Sequence, residues 1–240
     1  MHVALVMAKK GSKGLPGKNL MSFRGKPLLE HTLDDFRKAG CFDRIVLSTN
    51  CPDLARQAKK CGVEVIMRGN ELAENARFVD AVNHAIERLD PAPSTVTIAQ
   101  IVQPLRRPGL FRDIIATHGP GVDSVVTVKR FESAVDWIYV ADETVGRLKH
   151  VQNVTYGETI GRRNDLVEID NAVVSFTYDS WKRGESLTSW GYLGFNIAFV
   201  ENAYLNKNYT CDINVSDDFE WLEFIAAFPE WKRLRNAKQT

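Results

Sequence analysis

Ala8-Lys9-Lys10-Gly11-Ser12-Lys13-Gly14-Leu15-Pro16-Gly17-Lys18-Asn19 follows directly on the apolar run His2-Val3-Ala4-Leu5-Val6-Met7. An apolar run this short, closed by a glycine-rich turn, has the form of a buried strand in a parallel sheet. The loop after it carries three glycines and four lysines. Glycine lets backbone N–H groups approach phosphate oxygens closely, and lysine neutralises phosphate charge, so this stretch is a candidate polyphosphate cradle at the first strand-to-helix junction. The spacing excludes two common alternatives. A Walker loop needs GxxxxGK followed by Ser or Thr, but Ser12 stands at the first glycine position and Asn19 follows Lys18. A dinucleotide fingerprint needs GxGxxG, whereas this loop reads GxxGxxG, and the second strand ends at Asn50 rather than at an acidic residue.

Outward from the loop, the pattern alternates. A helix is predicted from about Pro27 to Gly40, a strand over Arg44 to Ser48, a helix over Pro52 to Cys61 and a strand over Glu64 to Met67. Asn75 to Leu89 carries helical periodicity, Thr95 to Val102 is a β-branched run, Pro108 to Thr117 reads as a helix and Ser124 to Lys129 as another buried strand. This is the pattern of an α/β domain with a mostly parallel sheet and helices on both faces, whose phosphate chemistry belongs at the carboxyl ends of the strands. Beyond about Arg130, short segments such as DWIYV, AVVSFTY and YLGFNIAFV suggest a small antiparallel excursion, at about 131–195, available to a homodimer interface or to an acceptor. A last amphipathic helix, Asp217 to Phe228, opens with acids suited to the positive end of its dipole.

Composition narrows the function classes. The 240 residues are 44% apolar and 25% charged, which fits a single globular domain spanning residues 1–240. A net charge of +1 gives no field to attract extended nucleic acid, so anion recognition has to be local. Cys41, Cys51, Cys61 and Cys211 form no CxxC or Cys/His cluster, against a structural zinc or a disulfide framework. The apolar opening is too short before Lys9 and Lys10 for a signal peptide, and no stretch is long enough to span a bilayer, so a cytoplasmic location without membrane contact is expected.

The loop resembles the nucleotide-binding signature of the acylneuraminate cytidylyltransferases, which make CMP-sialic acid and related CMP-nonulosonates. GKPLLEHTL, FDRIVLSTN, CGVEVIMRGNELAEN and DINVSDDFE resemble further family blocks in family order, over roughly the first 130 and the last 30 residues. The resemblance implies a Rossmann-like nucleotidyltransferase fold, usually dimeric, in which a sugar hydroxyl attacks the α-phosphate of CTP and pyrophosphate leaves. It assigns Lys13 and Lys18 to the triphosphate, with Ala8, Lys9, Gly11, Ser12 and Gly14 in the nucleotide loop, and Asn19 and Arg68 to the nucleoside. Asp212 is the implied Mg²⁺ ligand. Asn214 offers a second oxygen, and residues i and i+2 of an extended segment face the same side. Lys13, Lys18 and Asp212 are the implied catalytic set.

Departures from the family centre on the acceptor. Lys9 stands where arginine is common, STN replaces STD at Asn50, and the small hydroxyl residue expected after Arg68 is replaced around Arg77. The family stretch QPTSPLR reads here as Gln103-Pro104-Leu105-Arg106-Arg107-Pro108, three residues short. Gln103, Arg106 and Arg107 are then the candidates to meet the acceptor and its acidic group. The expected substrates are CTP and a small acidic sugar such as sialic, legionaminic or pseudaminic acid. A phosphonate or other small acid acceptor, GTP in place of CTP, and a non-catalytic nucleotide-binding homologue are the alternatives.

Overall fold

The computed structural model describes residues 1–11, 14–74, 76–130, 139–142, 147–150, 167–185, 192–202 and 212–227. The first half runs β1 (His2–Ala8), a 3-10 turn (Lys18–Leu20), the two-residue strands β2 (Ser22–Phe23) and β3 (Lys26–Pro27), α1 (Leu28–Ala39), β4 (Arg44–Thr49), α2 (Pro52–Lys60) and β5 (Glu64–Met67). It continues through α3 (Glu71–Glu74), α4 (Phe78–Ile86), β6 (Thr95–Ala99), α5 (Leu110–Thr117) and β7 (Ser124–Arg130). Then come β8 (Tyr139–Asp142), β9 (Arg147–His150), β10 (Val167–Thr177), α6 (Tyr178–Arg183), β11 (Ile197–Glu201) and α7 (Ser216–Ala227).

Among these residues the main sheet has seven strands in the order β11-β7-β10-β6-β1-β4-β5. β1 pairs in parallel with β4 and β6, β4 with β5 and β7 with β11, while β10 runs antiparallel between β6 and β7. β1 is apolar from Val3 onward because both its faces are covered. Ala4, Val6 and Ala8 join the core under α1, α2, α5 and α7, whereas Val3 and Leu5 join the core under α4. The parallel register aligns Ala8 with Thr49, so the loops after β1, β4, β5 and β6 emerge at one edge of the sheet.

Several boundaries move from their sequence-based positions. β6 stops at Ala99, where the chain turns, instead of running on to Val102. α4 starts at Phe78 because Arg77 caps it: the Arg77 N–H donates to Asp80 Oδ2 at 3.0 Å, which closes the first turn. AVVSFTY lies, up to Thr177, in β10 at the heart of the main sheet, and the end of YLGFNIAFV forms its edge strand β11. The expected antiparallel excursion is left with the two-stranded hairpin β8 and β9, and the rest of 131–166 lies outside the described residues. No helix among the described residues is long and apolar enough to cross a membrane.

β10 is irregular in a way that shapes the site. Its register with β7 shifts between Ile169 and Val174, and Asn171 takes φ 58°. The buried Asp170 carboxylate holds this bulge, accepting from Ala172 N–H at 2.9 Å, from Asn202 Nδ2 at 3.0 Å and from the Thr127 hydroxyl. Paired this way, a buried carboxylate is stabilised where an unpaired one would be costly.

Candidate active site

The glycine-rich loop leaves β1 at Ala8 and crosses the carboxyl edge of the sheet. Lys10 N–H donates to Asn50 Oδ1 at 2.9 Å, and Asn50 Nδ2 donates to Asn70 Oδ1 at 2.9 Å. Asparagine at this position both accepts and donates, which an aspartate could not do. Gly17 turns the chain at φ 73° into the 3-10 turn, where Asn19 Nδ2 reaches the Lys9 carbonyl at 3.5 Å. Ser12 and Lys13, both assigned to the cradle from the sequence, lie outside the described residues.

The far end of the chain comes to this loop. Lys18 Nζ donates to the Ile213 carbonyl at 2.5 Å across 195 residues. Gly14 packs so closely that a Cβ there would stand 2.3 Å from the Asn214 carbonyl oxygen. Ile213 is fully buried, its N–H donates to the Val102 carbonyl at 3.1 Å, and Asp212 and Asn214 on either side are exposed. Asp218, in the first turn of α7, accepts from Asn214 N–H at 2.8 Å and Val215 N–H at 2.9 Å, pinning the same segment. Burial pushes the Lys18 ammonium below its usual pKa, partly offset by the carboxylates of Asp212 and Asp218.

Two adjoining cavities open here. The larger, about 470 Å³, runs from Lys9, Gly11 and Gly14 past Lys18 and Arg68 to Asn214. The smaller, about 310 Å³, is walled by Ile98, Asn171, Val174, Tyr192 and Asp212. Phe78 and Gln100 line both. Asn214 therefore faces the cleft of the lysine-rich loop, and Asp212 faces its neighbour. Asn19 also lines the larger cleft. Arg68 forms its floor: 8% exposed, it donates to the carbonyls of Ala8 at 2.7 Å and Ser48 at 2.6 Å, and its Nε finds no partner.

The acceptor candidates fare differently. Gln103 is buried below the cavities, and its Nε2 bridges Asp212 Oδ1 at 2.6 Å to the Asp170 carbonyl at 2.8 Å. Arg106, with 2% of its side chain exposed, is bound to Asp35 at 3.2 Å, to Thr32 Oγ1 at 3.3 Å and to the Gln100 carbonyl. Arg107 donates to the Glu201 carbonyl at 2.8 Å and pairs with Asp113 at 2.5 Å. Neither arginine lines the two cavities, so the structure does not carry their assignment to the acceptor.

Gln100 lines both cavities, and the sequence carries a signal for it. Gln100-Ile101-Val102-Gln103-Pro104-Leu105-Arg106 aligns with QPTSPLR end to end, without a gap, once the first glutamine is used as the anchor. No residues are then missing. Gln100 is the first residue after β6, where an α/β sheet places ligand contacts, and its N–H is fixed by the Ala172 carbonyl at 3.1 Å.

The oxygen donors suit a small hard cation. Mg²⁺ takes one or two protein oxygens and completes its shell with water and phosphate, and Asp212 with Asn214 offers such a pair on one extended segment. No cluster of three or more His, Cys, Asp or Glu side chains occurs among the described residues, so a site built wholly from protein groups is not what this arrangement offers.

Residues 3–118 match the family model for cytidylyltransferases. The match takes in the amino-terminal region, just under half of the chain. A CMP-N,N'-diacetyllegionaminic acid synthase from Legionella pneumophila is 30% identical over 142 residues, covering 56% of this chain and 60% of the relative. An N-acylneuraminate cytidylyltransferase from Streptococcus agalactiae serotype III is 24% identical over 224 residues, covering 90% of this chain and 51% of the relative. The chain thus spans about half to three-fifths of the length of these relatives. Among solved structures, a CMP:2-keto-3-deoxy-manno-octonic acid synthetase complexed with CTP superposes with TM-score 0.67 at 15% identity, over 94% of this chain and 98% of that one. The likeness establishes a Rossmann-like nucleotidyltransferase fold with a mixed sheet and flanking helices.

Proposed function

We propose that the protein transfers CMP from CTP to an acidic sugar, releasing pyrophosphate, in a Mg²⁺-dependent reaction. One observation carries this reading: the lysine-and-glycine loop and the Asp212–Asn214 segment meet where the two cavities adjoin. The triphosphate would lie along the loop in the larger cleft, with Lys9, Lys13 and Lys18 neutralising it and the amides of Gly11, Ser12 and Gly14 approaching its oxygens. The nucleoside would extend toward Asn19 and the Arg68 floor. Mg²⁺, held by Asp212 and Asn214, would supply charge neutralisation at the α-phosphate and the leaving group.

The acceptor would occupy the smaller cavity, where Gln100 and Asn171 can hydrogen-bond hydroxyls and where Phe78 and Tyr192 offer apolar faces. Its hydroxyl oxygen forms the new bond to the α-phosphorus, the bond from that phosphorus to the departing pyrophosphate breaks, and the hydroxyl proton leaves to solvent. Alignment and charge stabilisation supply the acceleration, and no covalent enzyme intermediate is needed. A homodimer is part of the proposal, since Phe195 and Phe199 by the sheet edge and Trp221 and Phe224 on α7 are each about half exposed.

The test is pyrophosphate release with Mg²⁺ and each of the four nucleoside triphosphates, against sialic, legionaminic and pseudaminic acids, 3-deoxy-manno-octulosonate and small phosphonates. Release with CTP and one acidic sugar is expected. Silence from the whole matrix would defeat the proposal, and selective release with GTP would correct the nucleotide.

A further inference from the structure

A third cavity, about 340 Å³, lies between the end of α1 and the start of α5. It shares no lining residue with the two cavities of the candidate active site. Lys38, Arg106, Arg107 and Arg112 line it, against the single carboxylate of Asp35. We propose that this cavity is a second anion site, which binds the phosphate group of a small molecule.

Three independent features converge on it. The first is the open helix end. α5 begins after Gly109, at φ 78°, whose lack of a side chain leaves the first amides of the helix without a side-chain cap. Such amides, with the positive end of the helix dipole behind them, attract phosphate. The second is the floor. Arg106 is 7% exposed and fixed by Thr32, Asp35 and the Gln100 carbonyl, with the Phe111 ring 6.0 Å from its guanidinium carbon. Its Nε has no hydrogen-bond partner. That atom is itself closed off, so what the floor offers a ligand is the fixed positive charge of the guanidinium. Arg68 shows the same signature in the floor of the cleft proposed for CTP.

The third is charge. Arg106 is balanced by Asp35 and Arg107 by Asp113, but the exposed Lys38 and Arg112 at the rim form no ion pair among the described residues. The rim therefore offers two exposed cations outside any close ion pair above a preformed floor. Its volume exceeds that of inorganic phosphate and leaves room for a small organic group attached to it.

The experiment is calorimetric titration of the intact chain with inorganic phosphate and with glycerol 3-phosphate. Lys38→Ala combined with Arg112→Ala, both on the surface, is expected to weaken phosphate binding about tenfold, the loss of two exposed charge contacts. Lys18→Ala, in the other cleft, is expected to leave that binding event in place. Tighter binding of the ester than of inorganic phosphate identifies a phosphorylated metabolite as the ligand, and equal affinity identifies the free anion. The proposal is overturned if the wild-type chain shows no binding that survives Lys18→Ala, or if the Lys38/Arg112 double variant titrates like the wild type.

Discussion

Gly14→Ala tests the meeting of the two chain ends directly. The added Cβ would lie 2.3 Å from the Asn214 carbonyl oxygen, where ordinary contact begins at 3.4 Å, so the loop and the 212–214 segment must separate by about 1 Å. The contact atom is backbone, pinned by Val102, Lys18 and Asp218, and cannot rotate away. A displacement of about 1 Å in groups that align a reaction can cost on the order of 100-fold in rate. Losing the charged Lys18 hydrogen bond to Ile213 accounts independently for about 1.5–3 kcal/mol, the same order of effect. The assay is pyrophosphate release with CTP and the accepted sugar, measured across a Mg²⁺ series. The expected result is a rate reduced on the order of 100-fold, together with a raised half-saturating Mg²⁺ concentration, because Asp212 and Asn214 move with the segment. Gly11→Ala, whose Cβ meets nothing within 4 Å, is expected to leave the Mg²⁺ dependence unchanged. A Gly14→Ala enzyme with wild-type rate and wild-type Mg²⁺ dependence would refute the shared site.

Arg106→Leu should act on stability: it takes the guanidinium away from the Asp35 carboxylate and from the Gln100 carbonyl, at a cost of about 3–5 kcal/mol, read as a melting temperature lowered by roughly 10 °C. An unchanged melting temperature with a raised acceptor KM would restore the acceptor role read from the sequence. Phe78→Ala removes the side chain shared by both cavities, and should raise the acceptor KM more than that for CTP; a raised KM for CTP with an unchanged acceptor KM would argue that Phe78 serves the nucleotide alone. His118 donates to or accepts from Ser175 Oγ at 2.8 Å, and burial, with His2 nearby, lowers its pKa to about 4. The native state thus favours the neutral ring, so its contribution is present above the unfolded value near 6.5 and is lost as pH falls toward 4. Allowing for partial solvent screening, this amounts to about 1–2 kcal/mol. Denaturant titrations of His118→Gln should therefore show a flatter stability profile between those pH values, and a slope identical to wild type would remove His118 as the titrating group.

What could be read from the sequence was what local chemistry determines. β1 and its loop were legible because a doubly buried strand must be apolar, and because glycine and lysine interleaved at its end have few other uses. The boundaries of α1 were legible because Gly40 adopts φ 62° and ends the helix as a left-handed cap must. The place of β10 was not legible. AVVSFTY has the composition of any buried strand, and its insertion between β6 and β7 is decided by long-range pairing that leaves no local mark. The burial of Arg106 was not legible for a related reason: arginine suggests a surface or a ligand, whereas here Asp35, Thr32 and a carbonyl hold its terminal nitrogens inside the protein.

Gln103 joins the irregular strand and the buried loop after β6 in one feature of the site. Sequence reasoning sent it to the acceptor, but its Nε2 is already committed to Asp212 on one side and to the bulge of β10 on the other. The bulge exists because Asp170 gathers Thr127, Asn202 and the Ala172 N–H around its carboxylate. A chain of hydrogen bonds thus runs from the antiparallel strand, through Gln103, to the carboxylate that lines the smaller cavity. The strand invisible to local reasoning helps fix the position of Asp212 through Gln103, on a segment that Ile213 in the core, Lys18 and the first turn of α7 also hold. Gln100, three residues earlier and tied to Ala172 of the same strand, is set by the same support. The residue that would read the acceptor and the residue that would hold the metal are therefore positioned by one element, which lets substrate recognition and charge stabilisation keep a common register.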